Sequence, residues 1–173
     1  MDQGKQTDMV ALKIGDIKGF TSRLFVRDTF DEMYVREAQV VTYNSFTIDG
    51  RIRPGFYTKD ELEAGNIGEF SSWKVIRPLC FALIKGKKLP GSFHIEFAAG
   101  PEMVERFAAR AGGNWRADMI KGLYLGVRYE NGGLLCVTGT SLAVFTLDRS
   151  IEQLWDDTVK AFLKKNEIIY SEE

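Results

Sequence analysis

The sequence predicts an α+β domain in which an antiparallel sheet carries its helices packed on one face. Two observations predict this class. Residues 123–147 alternate in the manner of strands around the turn residues Asn131-Gly132-Gly133, which indicates an antiparallel meander of three strands. Three other segments, at 16–25, 72–85 and 151–165, repeat their apolar residues at helical spacing and therefore predict amphipathic helices.

The composition is that of an ordinary globular chain. The 173 residues are 45% hydrophobic and 27% charged, and 23 Lys and Arg against 24 Asp and Glu give a net charge of −1. This length suits one domain with its own core, so we predict a disordered lead at 1–8 and a single globular domain at 9–173. The balanced charge gives no overall attraction to nucleic acid or membranes, although a local basic face remains open.

The first elements follow from short local patterns. A strand is predicted at 9–14, and Asp16 is placed to cap the helix that follows it. Residues 33–50 are rich in Val, Tyr, Phe and Thr, which favours two strands that turn at Asn44-Ser45. The segment 51–70 carries turn signals and one short polar helix, TKDELEAG, so it is interpreted as a mobile connection.

The second helix contains a proline. Ser71 or Ser72 can cap it, and Gly86 is placed to end it. Pro78 removes a backbone donor and disfavours helical geometry in the residue before it, but the apolar spacing continues across it. We therefore predict one helix with a bend at Pro78, the alternative being a regular helix that starts there. The strand SFHIEFA follows Pro90-Gly91.

The last elements are a helix, the meander and a final helix. Gly100-Pro101 predicts the start of a helix over 101–111. Gly139 predicts a bulge or sharp bend within the meander. Ser150 and Gln153 match a capping box at the start of the last helix.

The order of these elements resembles that of one domain of the DNA sliding-clamp family. The likeness is carried by VALKIGDIKGFTSRLF, SSWKVIRPLCFALIKGKKLPGSFHIEF and LYLGVRYENGGLLCVTGTSLAVFTL. It implies the order β-α-β-β-(β)-α-β-β-β, to which this chain adds an inserted helix (101–111) and a C-terminal helix (151–165). Clamp subunits carry two or three such domains and this chain has room for one, which argues against a ring around DNA. The whole chain is also similar to a group of uncharacterised short bacterial proteins, and that similarity implies no activity.

The clamp resemblance implies that the helices at 16–25 and 72–85 lie side by side and face DNA. Basic residues on these helices and just after the second one would then contact DNA or another partner, each phosphate contact adding salt-dependent affinity. The candidate residues are Lys18, Arg23, Lys74, Arg77, Lys85, Lys87 and Lys88. A solubilising surface is the alternative interpretation of the same set.

Few other residues indicate chemistry. His94 is the single histidine, and strand alternation places it beside Glu96, so a His–carboxylate pair is possible on what is otherwise a solvated strand side. Trp115 is the candidate exposed aromatic contact, with core or rim as the alternative. The acidic pairs Asp60-Glu61 and Asp156-Asp157 are interpreted as solvated helix surface rather than metal ligands.

The cysteines and the apolar runs indicate a cytoplasmic protein. Cys80 and Cys136 lie within apolar runs, which predicts buried thiols in a reducing compartment. Two cysteines and one histidine are too few for a structural zinc site. No apolar run approaches the ~20 residues of a membrane span, and the polar N-terminus lacks the apolar core of a signal peptide.

These observations lead to three hypotheses about function. No phosphate-binding loop or nucleophile elbow occurs, so we expect no cofactor and favour a non-enzymatic interaction domain that binds protein or DNA. The first alternative is a small enzyme or ligand-binding domain that uses His94 with Glu96, or the loop at 112–121. The second is a homo-oligomer assembled through a sheet edge of the meander.

Overall fold

A computed structural model of the chain describes residues 10–65, 67–86 and 88–173. The predicted lead at 1–8 lies outside the described residues. The strands are β1 (Ala11–Ile14), β2 (Tyr34–Val41), β3 (Ser45–Asp49), β4 (Ser92–Ala98), β5 (Ile120–Glu130), β6 (Gly133–Leu142) and β7 (Tyr170–Glu172). The α-helices are α1 (Ile17–Phe25), α2 (Lys59–Glu63), α3 (Trp73–Ile84), α4 (Pro101–Ala111) and α5 (Ser150–Lys165).

The described strands form one antiparallel sheet of seven strands in the order β3-β2-β4-β5-β6-β1-β7. Each neighbouring pair in this order is antiparallel. The α+β prediction with an antiparallel sheet is therefore confirmed. The predicted hairpin of β2 and β3 is also present, with Val41 opposite Ser45 at its closed end.

Helices α1 and α3 lie side by side on one face of the sheet. The indole Nε1 of Trp73 donates to the carbonyl of Leu24 at 2.8 Å, which ties the two helices together. The ring of Phe25 is 5.1 Å from the ring of Phe93 on β4, so α1 rests on the sheet centre. This is the arrangement of the two helices that the clamp resemblance implied.

Helix α5 covers the same face further along the sheet. The indole Nε1 of Trp155 donates to the carbonyl of Tyr124 on β5 at 2.8 Å. Helix α4 packs beside it, with the ring of Phe107 lying 5.9 Å from that of Trp155. Because side chains alternate along a strand, Phe93, Ile95 and Phe97 of β4 all face the helices and are buried. The opposite face of the sheet, the open face, carries the alternate side chains.

The predicted cap of α1, the predicted short helix within TKDELEAG and the predicted continuity of α3 through its proline are confirmed. Asp16 caps α1, since its Oδ1 accepts from the backbone N–H of Gly19 at 2.9 Å. Thr58 caps α2 in a capping box with Glu61. Helix α3 runs through Pro78 as one helix, and its buried residues, such as Ile76, lie on the side away from the proline.

Two of the three strands predicted for the meander are present, but the third, predicted after Leu142, is not. Strand β6 ends at Leu142, and the residues after it lead to α5 without forming a strand. The apolar residues in this connection are exposed, Phe145 by 95% and Leu147 by 89%. Their local composition resembles a strand, but none of the strands in the described residues pairs with them. Gly139 is also not bulged, because it pairs in register with Tyr124.

The predicted capping box of α5 is wrong as well. Ser150 is the first residue of the helix, and its backbone N–H donates to the Oδ1 of Asp148 at 2.9 Å. This hydrogen bond lowers the pKa of Asp148, because it stabilises the ionised carboxylate. An Asx turn before the helix therefore replaces the pairing of Ser150 with Gln153.

The acidic residue Asp156 is buried rather than solvated. Its Oδ1 accepts from the hydroxyl of Thr138 at 2.5 Å, and the same hydroxyl oxygen accepts from the backbone N–H of Val10 at 3.0 Å. This pairing links α5 to β6 and to the start of β1. The interpretation of Asp156 as helix surface is therefore corrected, because a residue on β6 supplies a partner that helical spacing does not reveal.

The meander strands lie inside the sheet. Strand β5 is flanked by β4 and β6, and β6 by β5 and β1, so neither is an edge. The edges are β3 and the unpredicted β7, whose Glu172 pairs with Lys160 of α5. Assembly through a sheet edge of the meander is therefore a wrong hypothesis. Among the helices described, none combines the length and the apolarity that crossing a bilayer requires.

Candidate functional site

The helical layer contains an apolar groove between α1, α3 and the sheet. Its volume is about 600 Å³. We call it the helical groove, and it is defined by Phe25, Phe81, Ile84, Leu89, Phe93 and Tyr129. Leu89 is 82% exposed and Phe81 is 39% exposed. Large apolar side chains that the fold leaves in water at a concave site are typical of an interaction surface.

Three lysines of the predicted basic set lie in or next to this groove. Lys18 lines it directly, while Lys85 and Lys88 adjoin Ile84 and Leu89 in the chain. The side chains of these three lysines are exposed, as is that of Lys74 at the start of α3. Lys87 lies outside the described residues.

The two predicted arginines are engaged within the protein. Arg77 places Nε 2.8 Å from Oδ1 of Asp31 and its NH2 nitrogen 2.9 Å from Oδ2, a bidentate ion pair. The hydrogen bonds to Asp31 raise the pKa of Arg77. Arg23 donates to the carbonyl of Gly19, one turn earlier in α1. Both arginines are half-buried and bonded within the protein, whereas the lysines are exposed. The predicted basic set therefore divides into two kinds of residue.

Trp115, the candidate exposed aromatic, is half-buried. Its side chain packs against the edge of the hydrophobic core. It also hydrogen-bonds the side chain of Asp148, which contributes to the lowered pKa of that carboxyl. The structure therefore places Trp115 at the rim of the core, between the loop after α4 and the start of α5.

The open face of the sheet contains a second concave site of about 480 Å³. We call it the open-face cavity, and its lining includes Arg36, His94, Glu96, Tyr124, Gly126 and Arg128. His94 and Glu96 follow the predicted pairing, with Nε2 of the imidazole 2.6 Å from Oε1 of the carboxylate. The cavity that the ligand-binding hypothesis required is thus present at these two residues.

Strand register explains how the open-face cavity is assembled. His94 lies opposite Arg128, and Glu96 lies opposite Gly126, on the neighbouring strands β4 and β5. A Cβ at Gly126 would stand 3.3 Å from Oε1 of Glu96. The absence of a side chain there leaves room for the carboxylate and lowers the floor of the cavity. Arg36 reaches over from β2, with its guanidinium carbon 4.5 Å from the ring centre of Tyr124.

The chemistry available in the open-face cavity is that of binding and proton transfer. A His–carboxylate pair can position or move a proton, but no serine or cysteine is among the residues that line the cavity. Across residues 10–65, 67–86 and 88–173, no group of three or more His, Cys, Asp or Glu side chains is arranged to hold a metal ion.

The loop at 112–121 contributes to a third site. Ala117, Asp118 and Lys121 line a cavity of about 790 Å³ that extends to the start of α4 and adjoins the open-face cavity at Arg36 and Tyr124. Both regions named by the ligand-binding hypothesis therefore border concave surface on the same side of the sheet.

Sequence reasoning did not single out Arg36, Tyr124 or Arg128. Alternation along β5 places Tyr124 and Arg128 on the side opposite its buried residues, so a signal for these two was present. Arg36 has no such signal, because its position depends on the pairing of β2 with β4.

The described residues therefore form an α+β domain. It has one antiparallel sheet with helices on one face and a concave site on each face. Comparison with protein families then identifies the chain as a member of a family of unknown function, DUF5721, whose model matches residues 23–171. No curated protein and no solved structure matches the chain. The clamp resemblance therefore rests on the order of the elements and on the placement of α1 beside α3, not on a matching structure.

Proposed function

We propose that this protein is a non-enzymatic interaction domain that binds a protein partner in the helical groove. The observation that carries this proposal is the apolar lining of the groove together with the exposure of Leu89 and Phe81 at its rim. Burying a leucine side chain of this kind is favourable by about 1.5–3 kcal/mol. A partner that covers the groove would recover this free energy, which the folded chain alone does not.

The charges around the groove define the chemistry of the partner. Lys18, Lys85 and Lys88 are exposed next to lining residues, whereas Asp31 is already paired with Arg77. The complementary segment carries bulky apolar side chains flanked by Asp or Glu. Duplex DNA is the second candidate, because the same lysines and Lys74 are exposed on the helical layer.

We expect selection from a displayed library of random peptides to enrich sequences that combine bulky apolar residues with Asp or Glu. Leu89→Asp should weaken the binding of a selected peptide about tenfold or more, since it removes apolar contact and repels acidic flanks. The dissociation constant is measured by isothermal titration calorimetry. Leu147→Asp is the matched control, because Leu147 is equally exposed but lies outside the groove.

Two results would contradict this proposal. One is the same affinity for the selected peptides in wild type and in Leu89→Asp. The other is binding of a fluorescent DNA duplex at low salt that is lost when Lys18, Lys74, Lys85 and Lys88 are replaced by glutamine, and that Leu89→Asp leaves unchanged. The second result would assign the helical layer to DNA instead.

A further inference from the structure

We propose that the open-face cavity binds a small organic carboxylate with an apolar body. This site lies on the opposite side of the sheet from the helical groove, so its test is independent of the proposed protein partner. The proposal rests on three features of the cavity: its unpaired guanidinium groups, its formal charge, and the shape of its floor.

The first feature is a pair of arginines without an ion-pair partner. Within the described ranges, no carboxylate oxygen lies within 4.0 Å of a side-chain nitrogen of Arg36 or Arg128, whereas Arg51, Arg53, Arg77 and Arg116 each have one. A guanidinium offers a planar fork of donors that matches a carboxylate. Two such groups therefore border the cavity with their strongest hydrogen-bonding capacity unused by protein carboxylates.

The second feature is the formal charge of the site. Arg36 and Arg128 contribute two positive charges, and Glu96 contributes one negative charge close to His94. With the imidazole counted as neutral, one positive charge is left over. A monoanion balances this charge, while a doubly charged phosphate would exceed it and approach Glu96 with a second negative charge.

The third feature is the floor between the two arginines. Tyr124 and Arg128 face the same side of β5 and are four residues apart, which corresponds to about 13 Å along the strand. Gly126 lies between them, opposite Val137 of β6, and Leu135 lies opposite Arg128. The half-buried Leu135 and Val137 side chains form an apolar wall in the cavity. This floor accommodates an apolar ligand body, with the carboxylate directed at a guanidinium.

The size of the cavity agrees with a small ligand. Its volume of about 480 Å³ lies in the range of ~300–1,000 Å³ that small-molecule sites occupy, and an apolar lining with a few convergent polar groups is typical of such sites. In this arrangement Arg128 holds the carboxylate beside His94, and Arg36 on the Tyr124 ring closes the other end.

Titration of the isotopically labelled protein with benzoate and hexanoate tests this assignment by NMR. We expect saturable shifts of the Gly126 backbone amide with both acids, and no saturable shift with the neutral analogue hexanol. Arg128→Gln should weaken binding about tenfold or more, because it removes a charge-assisted hydrogen bond. Arg53→Gln is the matched control, since Arg53 is exposed and is not among the residues that line the cavity.

A second variant separates a shaped site from general attraction of anions. Gly126→Val keeps every charge but places a side chain on the cavity floor, where the Cβ would meet only the end of the Glu96 side chain. We expect this variant to lose the benzoate-induced shifts of the neighbouring Tyr124 and Val127 amides while retaining the spectrum of a folded protein. Equal affinity in Gly126→Val or in Arg128→Gln would overturn the proposal. Tighter binding of phenyl phosphate than of benzoate would overturn the assignment to carboxylates.

Discussion

Replacing Trp73 with alanine is expected to lower the free energy of unfolding by about 3–5 kcal/mol, the range for removing a large buried aromatic side chain. Trp73 is fully buried at the start of α3. Its ring lies 5.9 Å from that of Phe25 on α1 and 5.3 Å from that of Phe97 on β4. One side chain therefore joins two helices to the sheet, and its loss removes contacts to both.

A second variant of Trp73 distinguishes the contribution of its ring packing from that of its hydrogen bond. Its Nε1 donates to the carbonyl of Leu24, which is itself part of the buried end of α1. Trp73→Phe keeps most of the ring contact but leaves this carbonyl without the indole donor, so we expect a smaller loss of about 1–3 kcal/mol. Urea denaturation of each variant measures these differences from the transition midpoint and slope.

The exposed Phe145 provides the control for aromatic removal as such. Phe145→Ala should change the free energy of unfolding by no more than about 0.5 kcal/mol, because the side chain is almost wholly in water. A loss below about 1.5 kcal/mol for Trp73→Ala would contradict the role of this residue in joining α1, α3 and β4.

Elements set by local pattern were predictable, and elements set by distant partners were not. Strand β4 alternates strictly, so the burial of Phe93, Ile95 and Phe97 followed from its spacing alone. Strand β7 has three residues, too few for a periodic signal, and it forms because β1 offers it a free edge. The strand predicted after Leu142 was wrong for the opposite reason, because its composition is strand-like but none of the described strands pairs with it.

The candidate site likewise contains residues that a local pattern predicts and residues that only the tertiary fold brings together. His94 and Glu96 are two residues apart on one strand, so their pairing followed from alternation. The open-face cavity also needs Arg36 from β2 and Arg128 from β5, and only the strand order brings these together. The helical groove likewise combines Phe25 of α1 with Leu89 of the loop after α3. Single-element patterns can show that such side chains are available but not that they meet.

A fall in stability at alkaline pH is the second large expected effect. Burial raises the pKa of both Cys80 and Cys136 to about 12, because the thiolate is disfavoured away from water. An unfolded thiol titrates near ~8.5. Their contribution to stability is therefore complete below that value, decreases as the unfolded chain loses protons that the folded chain retains, and is lost as pH rises through about 12.

The size of this effect follows from linkage. Each thiol lowers the free energy of unfolding by about 1.4 kcal/mol for every pH unit above the unfolded pKa. For the two together we expect a loss of about 5 kcal/mol between roughly pH 9 and pH 11. Urea denaturation with a reducing agent present, repeated across this interval, measures the loss.

The Cys80→Ala, Cys136→Ala double variant isolates the thiols from lysine and tyrosine titration. Its absolute stability falls because two buried sulfurs are removed, so the comparison concerns the slope of unfolding free energy against pH. We expect a steeper slope in wild type than in the double variant. Thiol-reagent labelling at neutral pH gives an independent check, since neither fully buried cysteine should react until the protein is unfolded. Equal slopes, or rapid labelling of the folded protein, would show that these thiols reach solvent and would contradict their place in the core.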